Sequence, residues 1–390
     1  MAAKNWILSR VYAALESVFG TDPDSTGAAY KFLKVLPDST WQPTMDVIPR
    51  PALINDMTRL PHVMGSKSGK LSLKVELKGS ATAASNGVAA IAAEADGLLQ
   101  AIMGTVVRGT GDLVQAGSTT TVINVVTGAS FSKYMMVMID CGATYGFVPR
   151  FITSISSNAL TLDRALPATP GTGVAIHASS KYTRANTGHQ SLAIAAYRDD
   201  ILYTFLGCKV DSAKLSGISA RGTAILDVQL SVTDWNTTAK GSIPSAVPSG
   251  ITNAKAPVVK GSCFAIGGTE EYAHTLEFDF GTKFEFQDST CGLGPAVPDS
   301  TNTGQQLTAA EPKGSVSPYY ASSHLTDHIA ATERSLMFAT PGTGVAWGIY
   351  VPKAQWTGPE FEDHNGMVTE KMPFMVNDNG TDPEYALCVC

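Results

Sequence analysis

Thr223-Ala224-Ile225-Leu226-Asp227-Val228-Gln229-Leu230-Ser231-Val232-Thr233 sets the pattern for the rest of the chain. Leu226, Val228, Leu230 and Val232 alternate with Asp227, Gln229, Ser231 and Thr233. Successive side chains of a strand point to opposite faces, so this alternation predicts a strand with one apolar and one polar face. Leu71, Leu73, Val75 and Leu77 alternate with Ser72, Lys74, Glu76 and Lys78 in the same way. Over 275–280, Thr275, Glu277 and Asp279 oppose Leu276, Phe278 and Phe280. Residues 190–210 carry a looser version. The recurring unit is a half-wet antiparallel strand, and the functional question is what its polar side faces.

Composition narrows the answer. The chain has 390 residues, room for two domains or one domain with a large insertion. Charged residues make up 16%, below the usual share of about 25%. The net charge of −6 argues against a duplex-DNA reader with a basic face. Residues 1–80 hold ten Lys/Arg and seven Asp/Glu, whereas 360–390 hold one Lys and seven Asp/Glu. That asymmetry suits either a solvated acidic tail or two ends that meet between neighbouring copies. No basic, apolar leader opens the sequence, so no secretion signal is expected. Glu94 and Asp96 interrupt the best apolar run, so no membrane span is expected. The six cysteines are scattered, and reduced thiols are the default.

Taken in order, Trp6, Ile7, Val11, Leu15, Val18 and Phe19 form a stripe that predicts a helix over 5–19, ended by Gly20. Six prolines in 21–62 predict an extended, sheet-poor arm lying on its own domain or on a neighbour. Residues 81–103 read as an Ala-rich helix stopped by Gly104. From 105 to 182 Glu disappears and short β patterns take over, at 119–126, 134–139, 150–154 and 159–162. This segment reads as a small β domain inserted into the main one, because the half-wet pattern resumes at Gln190. Residues 236–262 and 287–322 read as long Pro/Gly/Ser loops, and 272–286 as a strand with a kink or bulge at Gly281. A short helix is expected over 324–336, capped by Ser323, before final strands at 345–351, 368–375 and 385–389.

The search for chemistry returns little. Arg108-Gly109-Thr110-Gly111-Asp112 lacks the lysine of a phosphate-binding loop. No Ser occupies a nucleophile elbow. His324 and His328 are spaced for one helix face without a third ligand, and a capping or surface role is the expectation. Glu360, Glu362, Asp363 and His364 have no fixed oxygen-ligand pattern, which favours a solvated loop. Cys388 and Cys390 are candidates for cross-linking neighbouring copies. No catalytic, cofactor or metal residues are assigned, and no cofactor is expected. Alternating strands without a convergent polar constellation suit an assembly subunit better than an enzyme, although a carbohydrate-active enzyme using carboxylates of 360–384 is a distant alternative.

At this point the chain resembles the phage tail tube proteins. The resemblance covers roughly 59–390. It is carried by the lead from Arg59 to Gly79, by Glu94-Ala95-Asp96-Gly97-Leu98-Leu99 with Met103-Gly104, and by the hairpin of 191–209. The 223–235 strand ending in Asp234-Trp235 and the closing Gly348-Ile349-Tyr350-Val351-Pro352 add to it. Within 105–182, Val137-Met138-Ile139-Asp140 and 160–167 are similar to small β domains found in such proteins. The resemblance implies a mainly β fold: a two-sheet β-sandwich or partial barrel with a packed helix and an inserted small β domain. The implied units are an N-terminal helix and arm (1–58), a discontinuous tube domain (59–104 plus 183–390) and the insert (105–182). It further implies hexameric rings that stack into a tube conducting DNA, assembled in the host bacterial cytoplasm. The implied partners are other copies, tail terminator, tape measure and baseplate or tip proteins, a sheath protein in contractile tails, and genomic DNA in transit. Lys74, Glu76, Asp227, Gln229, Ser231, Glu277 and Asp279 would then face a polar to acidic lumen. Another virion β protein, a head decoration or a receptor-binding adhesin, is the alternative.

Overall fold

The structure is a computed structural model that describes residues 10–48, 62–79, 94–198, 201–219, 222–243, 263–288, 302–319, 321–341, 345–364 and 366–390. Residues 10–15 form a strand, β1 (Arg10–Leu15), where the sequence predicts a helix; residues 5–9 lie outside the described residues. Val11 and Ala13 enter the main core, while Tyr12 and Ala14 enter a smaller cluster with Tyr30, Tyr197 and Leu206. A strand buried on both faces loses its period-two signature and is easily misread as a helical stripe. It is held by antiparallel pairing along its whole length with strand Leu192–Arg198.

The proline-rich arm is also more regular than expected. It contains β2 (Lys31–Leu33), which pairs with β1, and β3 (Thr40–Ile48), which pairs with β4 (Val63–Glu76). Pro43 is tolerated because β3 pairs only with β4 among the described residues, leaving its other edge free of ladder demands. Then α1 (Asp96–Met103) follows, starting from an N-cap at Ala95 after a turn at 94–95, later than the expected start; 80–93 lie outside the described residues. Leu98, Leu99, Ile102 and Met103 are all fully buried. Gly104 ends α1 at φ 87°, its N–H bonded to Gln100 O, a left-handed turn that suits glycine.

The chain next enters β5 (Gly104–Arg108) and a second sheet. That sheet contains β6 (Asp112–Leu113), β7 (Val122–Asn124), β8 (Met136–Asp140), β9 (Phe147–Ser156), β10 (Ala159–Leu162) and β11 (Ala175–Ala178), in the order β6-β11-β8-β9-β10-β7. Val114, Ile123, Val137, Ile139, Ile152, Leu160 and Ile176 give it its own core. The chain returns in β12 (Ser180–Arg184), and Ser180 is the Cα partner of Arg108, so exit and re-entry are neighbours. The other face of the second sheet, with Met136, Met138 and Phe151, packs on Ala265, Met337, Tyr350 and Cys388 of the main body.

The remaining chain builds most of the main sheet. First come β13 (Leu192–Arg198), β14 (Ile201–Ser219), β15 (Ile225–Val232) and β16 (Asp234–Asn236), then β17 (Cys263–Ile266), β18 (Thr269–Glu270) and β19 (Ala273–Asp279). Next are β20 (Thr282–Asp288), β21 (Asn302–Ala310), β22 (Lys313–Pro318) and α2 (Ser322–Ile329). Last are β23 (Glu333–Ala339), β24 (Trp347–Trp356), β25 (Glu360–His364), β26 (Met367–Val376) and β27 (Ala386–Val389). Two expectations fail here. The supposed loop of 287–322 holds β21, which pairs with β20, and β22. The helix stops at Ile329, is capped by Ala321 without a side-chain bond, and gives way to a strand at Glu333. The 236–262 loop lies largely outside the described residues.

Neighbouring strands run β3-β4-β15-β14-β19-β22-β26-β24-β27-β12-β5. Their inward side chains, from Trp41 and Leu226 to Phe278, Phe374, Ile349 and Leu387, meet in one core that α1 also enters. The protein is therefore mainly β, with the main sheet curled as a half-barrel around that core. Gly207 lets β14 serve two parts of it: before Gly207 the strand pairs with β13 and β16, after it with β15 and β19.

Candidate functional site

The opening strand settles its own orientation. Leu226, Val228, Leu230 and Val232 are at most 1% exposed. Burying each such side chain is worth about 1.5–3 kcal/mol, so a slip of one residue in register would cost several times that. Asp227, Gln229 and Ser231 are thereby fixed on the other face. On the adjacent strand Leu71, Leu73 and Val75 are buried, which fixes Ser72, Lys74 and Glu76 alongside them. Leu276 and Phe278 do the same for Glu277 and Asp279 on β19. The structure thus brings all seven predicted residues onto one face of four adjacent strands, β4-β15-β14-β19.

The sequence reading missed the strand in the middle. Ser212, Lys214 and Ser216 of β14 share the polar face, opposite Gln229, Asp227 and Ile225. Register shifts at Val210/Ser212 and Leu215/Ile218 interrupt its alternation, leaving only Ala213-Lys214-Leu215-Ser216 as a signal. Lys313 and Ser315 extend the face onto β22, opposite Asp279 and Glu277.

These additions change its electrostatics. The face is of mixed charge, where the sequence suggested polar to acidic. Lys74, Asp227, Lys214, Asp279 and Lys313 are cross-strand partners in turn, so a single row alternates in sign over five strands. Lys74 Nζ lies 2.5 Å from Asp38 Oδ2, and Lys214 Nζ lies 3.5 Å from Asp279 Oδ2. The hydrogen bond to Asp38 raises the Lys74 pKa, and the same bond lowers that of Asp38. Gln229 Nε2 donates to Ser72 Oγ at 2.9 Å and to Asp227 Oδ1 at 3.0 Å, so the next row is polar and uncharged. A cavity of about 410 Å³ lies over the charged row, lined by Lys214, Asp227, Glu277, Asp279 and Lys313. At one end Lys209 is buried, donating to Asp211 and to Phe284 O of the β20–β21 hairpin, both at 2.7 Å.

Other candidates resolve differently. Cys388 and Cys390 are 0% and 5% exposed, with Sγ atoms directed at Tyr134 O and Ala178 O. Burial pushes the Cys388 thiol up to about 11. Both thiols are sealed against the second sheet, so a cross-link between copies would require β27 to open. Gly109 packs against Met135 and Ala178 with no room for a Cβ, which explains that glycine by close packing. Glu360, Glu362 and Asp363 are spread along β25, and no group of three His, Cys, Asp or Glu among the described residues could hold a metal ion. His324, expected at the surface or as a cap, is buried between Glu370 (2.8 Å) and Glu271 (2.9 Å). Among the described residues no helix is long and apolar enough to cross a membrane.

No curated protein matches the chain. A family model described as phage tail tube protein, a structural component of the virion tail, matches residues 6–374. That span includes every strand of the polar face, and the chain belongs to the phage tail tube protein family.

Proposed function

We propose that six copies of this chain close into a ring, that rings stack into a tube, and that the polar face of β4-β15-β14-β19 lines the channel through which phage DNA passes. The observation that supports this reading is the continuity of that face over four adjacent strands backed by a filled core. Four strands from each of six copies make about 24; at roughly 4.8 Å spacing and about 40° tilt the backbone diameter is on the order of 48 Å. Side chains of roughly 6 Å from each wall leave about 36 Å, wide enough for duplex DNA. The same reading treats 105–182 as an inserted small β domain, carried by a tube-forming body of 59–104 and 183–390, and assigns assembly to the bacterial cytoplasm with the other tail proteins.

Negative-stain images of concentrated protein, with and without a tail initiator complex, test the proposal. It expects six-fold rings or striated tubes. Protein that stays strictly monomeric in sedimentation at high concentration, even when seeded, overturns it.

A further inference from the structure

We infer that Asp227 and Asp279 hold the lysines of the polar face away from phosphate, so that this face meets DNA without binding it. The inference rests on the reading that the face lines the DNA path. Lys74, Lys214 and Lys313 occupy every second strand of one row. Alone, they would form a line of three cations across five strands, and each could neutralise a phosphate and release a counterion. The two aspartates fill the intervening strands. Asp227 is the cross-strand partner of both Lys74 and Lys214, and Asp279 of both Lys214 and Lys313. Lys74 has a further carboxylate in Asp38, and Lys214 lies 3.5 Å from Asp279. Opposite charges directly across an antiparallel pair attract, so a phosphate must compete with a carboxylate for each of these three lysines. Lysine at these positions then solvates the face and fixes strand register while adding little affinity for nucleic acid.

The test uses the full-length soluble protein and a fluorescent duplex of about 20 base pairs at low salt. Wild type is expected to show no measurable binding. Asp227→Asn with Asp279→Asn, which keeps side-chain shape, is expected to bind at least about tenfold more tightly, with log K against log salt falling at about −1.8 for Lys214 and Lys313, Lys74 keeping Asp38. Adding Lys214→Gln to that variant is expected to make the slope shallower by about 0.9. A folded double variant that binds no better than wild type, or whose gained affinity survives Lys214→Gln unchanged, overturns the inference. If the double variant does not fold, Asp279→Asn alone carries the test, with a smaller gain expected and no gain contradicting it. Imaging of the same variants separates the two ideas: rings without gained affinity sink this inference alone, whereas a wild type that never assembles sinks the tube reading.

Discussion

At the scale of single residues, two positions hold the corner where β14 changes partners. Gly207 has φ 59°, and a Cβ there would lie 2.1 Å from Thr233 Oγ1. Glu16, only 2% exposed, accepts N–H bonds from Gly20 and Gly207 at 2.8 Å each and a hydroxyl bond from Ser191. Burial raises its pKa to about 7 in spite of those donors. Gly207→Ala combines left-handed strain with a clash, so it is expected to destabilise the subunit by about 2 kcal/mol or more in guanidinium unfolding. A loss below about 0.5 kcal/mol would show that the corner is not strained. None of this was legible beforehand, because Glu16 and Gly207 are far apart in sequence and a lone glycine in a strand pattern says only that something approaches closely. The polar residues of β4, β15 and β19 were legible, since period-two alternation alone assigned their face. Asp227→Lys, a natural probe of that face, is a poor one in register: it would place three lysines side by side across β4, β15 and β14.

At the scale of elements, the errors share a physical origin. β1 is buried on both faces and imitates a helix; β14 is bulged; β21 and β22 lie within a stretch rich in turn formers. Strands whose apolar and polar residues alternate strictly, β4, β15 and β19, were read correctly, and β1, buried on both faces, was not. The short helix α2 shows what such reading cannot reach. Its His324 sits between Glu271, before β19, and Glu370 on β26, while Asp327 of the same helix pairs with Arg334 of β23 at 2.7 Å. Burial opposes charge on His324, but its hydrogen bonds to Glu271 and Glu370 prevail and raise its pKa above 6.5. A folded-state pKa raised above the unfolded one stabilises fully below the unfolded value and is lost as pH rises through the folded one. His324→Gln is therefore expected to cost about 3 kcal/mol near pH 6, where it leaves Glu370 buried without its cation. The gap to wild type should narrow as pH is raised from 6.5 through the raised folded-state pKa. A gap that stays constant in denaturation curves across that range would show that the imidazole is neutral throughout.

At the scale of the whole molecule, the account joins a polar face to a family of tube-forming subunits. The sequence patterns indicated a mainly β chain, and the curled main sheet agrees with that. The cross-strand charge row was not legible, because register depends on bulges that composition does not reveal. The central claim is that the face of β4-β15-β14-β19 lines a channel. Helical reconstruction of assembled tubes by electron cryomicroscopy tests it most directly. The account predicts Lys74, Asp227, Lys214 and Asp279 on the inner wall of each ring; finding that row on the outer surface, or buried between rings, would contradict it.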